Sequence, residues 1–506
     1  MSAAIAAATA SSGALSDGRC AVRYADLPDH FAALDAWRAD HDLAPGEIIA
    51  LECATTVPGA ITLLHLLARG FSVVLLPPAV PGAPGAPPRL CRRRLTVRGH
   101  IVNTAGHAAG PANLAPDRPA SFLAITELAE PGPPPPPALA TGHVFLRTSG
   151  SVAAPKLAVH SHAGLLGNAV LSLERTRLAA GDQIAIPVPL SHMFGLGAAL
   201  VPGVAVSASL RFIEAANLLR FREHERAARP SVAFVTPALL ATLVRPDHAG
   251  PPRDHYRHIV VAGDKLAPAL FEAAERRFRR VLNLYGTTEM GVIAVADADD
   301  AAGPRATTVG TPLPGVALRL DAPEAPDASG APDASEPGAG AIVCRHPHGF
   351  TGYLDDRGAA WPGPPPLVDG WYRTRDLGRL HGDRLEVVGR EDHSVNRDGR
   401  LVVLAEVERA IEALPGVARA VTVLGGDGRR GRRVLAFCAP RDGHALDATH
   451  LRGACADVLP AYAVPDHVVI AAALPVLPSG KVDRRRLAAD ASAIEMSAPP
   501  PREGTV

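Results

Sequence analysis

Short, almost continuous apolar runs alternate with stretches whose apolar residues return at helical spacing, and this alternation starts at Glu47. It predicts a strand over 48–53, a helix over 59–68 and a strand over 72–76, which together make a βαβ unit of a parallel sheet. Further along, an apolar strand enters Thr148, a helix is expected over 163–180, and strands follow over 183–188, 231–235 and 259–262. Leu266, Leu270, Ala273, Ala274, Phe278 and Val281 then keep helical spacing ahead of an apolar strand through Leu284 and Tyr285. Runs buried on both faces of a parallel sheet read this way, because crossover helices cover both sides.

The pattern changes beyond Glu289. Short strands over 317–320 and 341–344 read as a β subdomain around an Ala/Pro/Asp-rich insert, 321–340, that has no apolar face and is expected to be disordered. From Asp392 the order becomes α+β: helix 405–414 with Val407, Ile411 and Leu414 on one face, strands 417–424 and 433–438, helix 448–459, strand 467–470. Proline tracts over 82–90 and 131–137 read as polyproline-like connectors, and 97–128 supports no assignment. The expected fold is therefore α/β, with a large N-terminal domain of parallel-rich sheets flanked by helices plus a β subdomain over 45–391. A small mobile α+β C-terminal domain is expected over 392–490. Residues 1–44 read as a poorly ordered leader and first helix, and 491–506 as a disordered tail.

Composition narrows the function more than the fold. With 506 residues, more than one domain is expected. The 51 basic and 51 acidic residues cancel, so charge gives no case for nucleic acid or an anionic membrane as partner. The six cysteines lack CxxC pairing, which suits reduced thiols in a cytoplasmic enzyme rather than zinc or disulfides. The run over 2–14 lacks a basic flank and makes a poor signal peptide. The most apolar segment, 60–80, is broken by Arg69-Gly70 and ends at Pro77-Pro78, so it is too interrupted to span a bilayer.

Chemistry concentrates where strands end, since open parallel sheets bind ligands beyond the carboxyl ends of their strands. Tyr285-Gly286-Thr287-Thr288-Glu289 offers hydroxyls for phosphate oxygens and a hard carboxylate for Mg²⁺, although an ordinary solvated turn looks the same in isolation. Thr148-Ser149-Gly150-Ser151 through Lys156 is a small, hydroxyl-rich turn ending in a cation, suited to wrapping an anion. His192, near Phe194, follows a third strand and can line a pocket, while a lone histidine is more often structural.

Five stretches in order carry a resemblance: Thr148 to Lys156, Tyr285 to Glu289, Tyr372 to Asp376, Gly389 to Asp392 with Gly399, and Pro478 to Leu487. Together the chain resembles the adenylate-forming superfamily of acyl- and aryl-CoA synthetases, peptide-synthetase adenylation domains and firefly-type luciferases, over roughly 45–490. The resemblance implies that a carboxylate attacks the α-phosphate of ATP, releasing pyrophosphate, and that a thiol then displaces AMP. It implies that Thr148, Ser149, Gly150, Ser151 and Lys156 cradle the β- and γ-phosphates, and that Gly263, Tyr285, Gly286 and Thr287 line the nucleotide. Thr288 meets the α-phosphate and Glu289 holds Mg²⁺. Asp376 accepts the ribose hydroxyls with support from Arg390, and Lys481 bridges carboxylate and α-phosphate in the transition state. It further implies a hinge at Asp392, with Asn396 and Gly399 on the thiol-accepting face, and a substrate pocket walled by His192, Phe194, Gly263 and Leu284.

Three positions depart from the family pattern: Val152-Ala153 replaces Thr-Gly, Arg375 replaces a glycine, and Asn396 replaces a common lysine. No carboxylate stands at Ser191-His192 to pair a substrate ammonium, which disfavours an α-amino acid. With about twenty residues after Leu487, the acceptor is expected to be free CoA or the phosphopantetheine of a separate carrier protein. The expected function is a stand-alone acyl- or aryl-CoA ligase. A carrier-loading enzyme and a catalytically inactive nucleotide-binding relative are the alternatives.

Overall fold

The computed structural model describes all residues except 79–86, 98–111, 114–117, 129–135, 149–155, 215–216, 246–252, 323–338, 362–365, 398–399, 429–430, 477–481 and 498–506. The chain packs as two compact units. One comprises Met1–Leu318, Cys344–Tyr372 and His381–Leu385, and the other Arg319–Val343, Arg373–Leu380 and Glu386–Val506. This division does not coincide with the boundary expected at Asp392, because Asp376 and Arg390 both fall in the second unit.

The first unit holds two mixed sheets. In the ten-stranded sheet the strands Val281–Thr287, His258–Val261, Val232–Val235, Gln183–Ile186, Ser209–Phe212 and Ala14–Ser16 lie side by side, each parallel to its neighbour. Antiparallel strands Gly291–Val295 and Thr311–Pro312 extend one edge. The seven-stranded sheet has His143–Thr148, Ser72–Leu76, Ile48–Glu52 and Arg93–Val97 in parallel, while Lys156–Ser161 and Gly352–Leu354 continue it antiparallel. Ile48–Glu52 and Ser72–Leu76 are buried at every position, as central parallel strands must be. The helices Val57–Ala68 and His162–Thr176 start at threonine and serine caps, Thr56 and Ser161, whose oxygens accept from Gly59 and Gly164 N–H.

Both chain ends overturn an expectation. Residues 2–9 form the helix Ser2–Thr9, with Ile5 and Ala8 buried. Ala14–Ser16 then inserts beside Ser209–Phe212, and the Tyr24 hydroxyl, fully buried, donates to Ala208 O at 2.8 Å. The alanines that make this stretch look featureless are small enough to pack closely. At the other end the helix Arg484–Ser497 continues into the supposed tail and buries Leu487 and Ala491.

The second unit takes in Arg373–Leu380 of the strand Trp371–His381, with Asp376 on it, and Glu386–Arg390 of the strand Arg384–Arg390. The remainder is α+β: a hairpin of Ser394–Arg397 with Arg400–Val403, and a sheet of Val417–Gly428, Gly431–Pro440 and His467–Ile470. The helix Leu404–Glu412 presents Val407 and Ile411 to its own core, joined by Leu414 just beyond.

Candidate active site

The strand Val281–Thr287 is fixed at its start by a buried ion pair. Arg305, fully buried, donates to both Glu275 carboxylate oxygens at 2.7 and 2.8 Å and to Val281 O at 3.1 Å. At the other end the strand turns back: Thr287 Oγ1 accepts from Met290 N at 3.0 Å, so the expected polar turn is the tip of a hairpin with Gly291–Val295. Gly286 and Gly291 are both required there. A Cβ on Gly286 would stand 2.3 Å from Gly291 O, and Gly291 has φ +66° with Asn168 against it. Asn168 spans the turn, its amide donating to Met290 O at 2.8 Å and its oxygen accepting from Val292 N at 3.0 Å. His160 Nε2 donates to Thr288 O at 2.8 Å, and burial pulls its pKa down to about 4, so the ring is neutral.

Glu289 is buried at the tip. Its carboxylate accepts from the Tyr353 hydroxyl at 2.5 Å, and its carbonyl accepts from Phe350 N at 2.7 Å. Lys156 is drawn into the same group, with its Nζ 4.9 Å from the Tyr353 ring centroid and 4.7 Å from that of Trp361. Thr148 and Lys156 are register partners at the open end of an antiparallel pair. The loop between them, including Ser149, Gly150, Ser151 and Val152-Ala153, lies outside the described residues.

The expected pocket residues lie within or beyond the parallel strands of the ten-stranded sheet. Phe194 opens a π-helical turn, Phe194–Leu200, and meets Phe234 edge-on at 5.9 Å. Gly263, exposed at φ +94°, has Thr236 as its nearest side chain, 3.9 Å from where a Cβ would stand. Leu284 and Tyr285 are buried on the neighbouring strand, and His192 is exposed. Ser191 is buried, with an Oγ that meets no hydrogen-bond partner among the described residues.

In the second unit Asp376 is buried and accepts from Arg390 at 3.3 Å. Its N–H donates to Thr374 Oγ1 at 3.1 Å, and that hydroxyl donates to Ile342 O at 3.0 Å. Arg375, the departure from the family's glycine, takes φ +65°, the left-handed conformation glycine adopts without strain. Asp392 lies in the single turn Glu391–His393 and Asn396 in the strand Ser394–Arg397. Gly399 and Lys481 lie outside the described residues, though Val476 and Val482, on either side of Lys481, are bridged.

The structure thus gathers Lys156, Thr287, Thr288 and Glu289 in the first unit and pairs Asp376 with Arg390 in the second. Tyr353, Phe350, Trp361, His160 and Asn168, which surround the first group, were not anticipated. The one signal in the sequence was a cluster of aromatic residues, Phe350, Tyr353 and Trp361, within a Gly/Pro-rich stretch. Among the described residues no group of three or more His, Cys, Asp or Glu is placed to hold a metal ion, no helix is long and apolar enough to cross a membrane, and all six cysteines are free and buried.

The architecture is that of adenylate-forming enzymes: ATP-bound MatB from Rhodopseudomonas palustris superposes with a TM-score of 0.77 at 20% identity, covering 97% of this chain and 99% of that one. Residues 91–354 match the family model described as AMP-binding enzyme, and 406–481 match that of the AMP-binding enzyme C-terminal domain. An indoleacetate–CoA ligase from Aromatoleum aromaticum is 30% identical over 69% of this chain and 68% of its own length. A salicylyl-CoA synthase/salicylate adenylyltransferase from a Streptomyces species is 30% identical over 68% of this chain and 62% of its own. The chain belongs to the AMP-binding enzyme family within the adenylate-forming superfamily. It is accordingly an ATP-dependent enzyme of the AMP-forming acid–thiol ligase class.

Proposed function

We propose that this enzyme adenylates a small aryl or aliphatic carboxylic acid and passes the acyl group to the thiol of CoA. A carboxylate oxygen of the acid attacks the α-phosphorus of ATP and pyrophosphate leaves. The thiol then attacks the acyl carbon, giving up its proton, and AMP leaves with the electron pair of the acyl–oxygen bond. The observation that carries the reading is the joint placement of the Lys156 ammonium and the buried Glu289 carboxylate at neighbouring strand ends of a family member.

Each role is the one the resemblance implies, and the chemistry of the group suits it. Lys156, with Thr148, Ser149, Gly150 and Ser151, neutralises and cradles the terminal phosphates. Gly263, Tyr285, Gly286 and Thr287 line the nucleotide, and Thr288 donates to the α-phosphate. Asp376 accepts from the ribose hydroxyls, and Arg390 holds that carboxylate in place. Lys481 stabilises the charge that develops as the new P–O bond forms. Glu289 fits Mg²⁺ arriving with ATP, because that ion is held by one or two carboxylates plus substrate phosphates rather than by an all-protein cage. When bound, the ion would supply neutralisation of phosphate charge. Asp392 serves as the hinge, and Asn396 and Gly399 form the face that admits the thiol. Ser191 rather than a carboxylate at the mouth of the pocket, with Phe194, Gly263, Leu284 and His192, favours an acid without an ammonium group. The aromatic acids named for the two relatives point the same way. The free, buried thiols agree with work in the cytoplasm.

The test is acid-dependent ATP–pyrophosphate exchange across a panel of aryl, aliphatic and amino acids, followed by AMP release with CoA or with a phosphopantetheinylated carrier protein. Exchange with an aryl or aliphatic acid and CoA-dependent AMP release are expected. Release that depends on the carrier alone transfers the acceptor role to it. Absence of exchange with every acid of the panel, in protein that binds ATP, replaces the proposal by an inactive nucleotide-binding relative.

A further inference from the structure

In the first unit one side chain touches both charged groups assigned to nucleotide capture. Tyr353 stands opposite Ala158 in the antiparallel pair of Gly352–Leu354 with Lys156–Ser161. Lys156, two residues before Ala158, is therefore its diagonal neighbour on the same face, within reach of a long side chain. The ammonium of Lys156 sits between the Tyr353 and Trp361 rings, at 4.9 and 4.7 Å from their centroids. Trp361 is held in place by its N–H, which donates to Tyr353 O at 3.1 Å. On its other side the Tyr353 hydroxyl donates to Glu289 and stands 3.0 Å from the Tyr372 hydroxyl. Phe350 fixes the ring planes, meeting Tyr353 edge-on at 4.9 Å and Tyr372 at 5.3 Å.

We infer that Tyr353 is a positioning residue for nucleotide binding: its ring, with that of Trp361, holds the Lys156 ammonium while its hydroxyl, beside that of Tyr372, holds the Glu289 carboxylate, so the cation for the phosphates and the carboxylate for their metal are joined through one side chain. The inference rests on the ligase reading above and adds a residue that none of the five motifs contains. A flexible lysine placed in advance loses less freedom when an anion arrives. A carboxylate oriented by a hydrogen bond binds its ion better, because outer partners of this kind typically change metal affinity about 10- to 100-fold.

The experiment is isothermal titration calorimetry of ATP into the full chain, once with Mg²⁺ and once with EDTA, alongside thermal unfolding of each sample. Tyr353→Phe keeps the ring and removes the hydroxyl. It is expected to weaken MgATP binding about tenfold or more while leaving ATP binding in EDTA unchanged. Added to Glu289→Gln, it should weaken MgATP no further, because the group it orients is already altered. Trp361→Leu leaves the hydroxyl in place and should weaken ATP in EDTA about threefold, the scale of one cation–π contact. It decides the question should Tyr353→Phe fail to fold, and unchanged ATP binding in Trp361→Leu then overturns the inference. Tyr353→Phe binding MgATP like the natural chain, losing equally with and without Mg²⁺, or losing additively with Glu289→Gln likewise overturns it and leaves the ligase reading in place. A natural chain that binds no MgATP ends both.

Discussion

Arg375 shows how one residue can hold a costly conformation beside a site. At φ +65° its Cβ crowds the following carbonyl, a strain of about 1–2 kcal/mol for a residue other than glycine. Its side chain is exposed, and among the described residues it makes no hydrogen bond or ion pair that would offset the cost. Arg375→Gly should therefore raise unfolding stability by about 1 kcal/mol, seen as a higher denaturant midpoint at unchanged slope. Adenylation should persist, because Asp376 keeps its N–H bond to Thr374 Oγ1. Lys481 belongs to the same scale with the opposite outcome. Lys481→Ala should lower adenylate formation about 10²- to 10³-fold, the loss typical of one preorganised donor. Pyrophosphate exchange at the natural rate would remove lysine from the chemistry.

At the scale of elements the site depends on how Val281–Thr287 is anchored. Arg305→Ala would leave Glu275 without its buried partner and Val281 O without the Arg305 donor, and should cost about 1–3 kcal/mol in thermal or chemical unfolding. The turn Glu391–His393 is the second element to test. Asp392→Pro fixes φ where a hinge must change it, so thioester formation should slow more than adenylation, measured as separate half-reactions. Equal loss in both would assign the turn a static role. The sequence made the central strands legible, since Ile48–Glu52, Ser72–Leu76 and Val232–Val235 are buried at every position and so read as apolar runs. Ala14–Ser16 and Cys20–Arg23 escaped notice because three or four residues give no period to count, and beyond their pairing with each other their sheet neighbours are remote in the chain. The group around Glu289 was half legible. Its charged members stand in motifs, whereas Tyr353 reaches it only through pairing with Lys156–Ser161, which no local pattern announces.

For the whole molecule, buried neutral histidines set the response to acid. Burial holds His160, His162 and His346 down to about 4 and His258 to about 3. An unfolded chain takes up protons on these rings near pH 6.5, so between about 6.5 and 4 it binds more protons than the folded one. Stability should hold above pH 6.5 and fall as pH drops through that window, by up to about 1.4 kcal/mol per ring per pH unit. Thermal midpoints measured from pH 7.5 to 4.5 check the slope, and His346→Gln should flatten it by one ring's share. The ten-stranded sheet has a different consequence, for synthesis. Ala14–Ser16 finds its parallel neighbour only at Ser209–Phe212, with Ala14 N–H bonded to Ser209 across a sequence separation of 195. At translation speeds of about 5–20 residues per second, Ala14–Ser16 waits on the order of ten to forty seconds after its own synthesis for the segment that completes its hydrogen bonds. Over that interval the nascent chain carries an unsatisfied edge that a chaperone would be expected to shield.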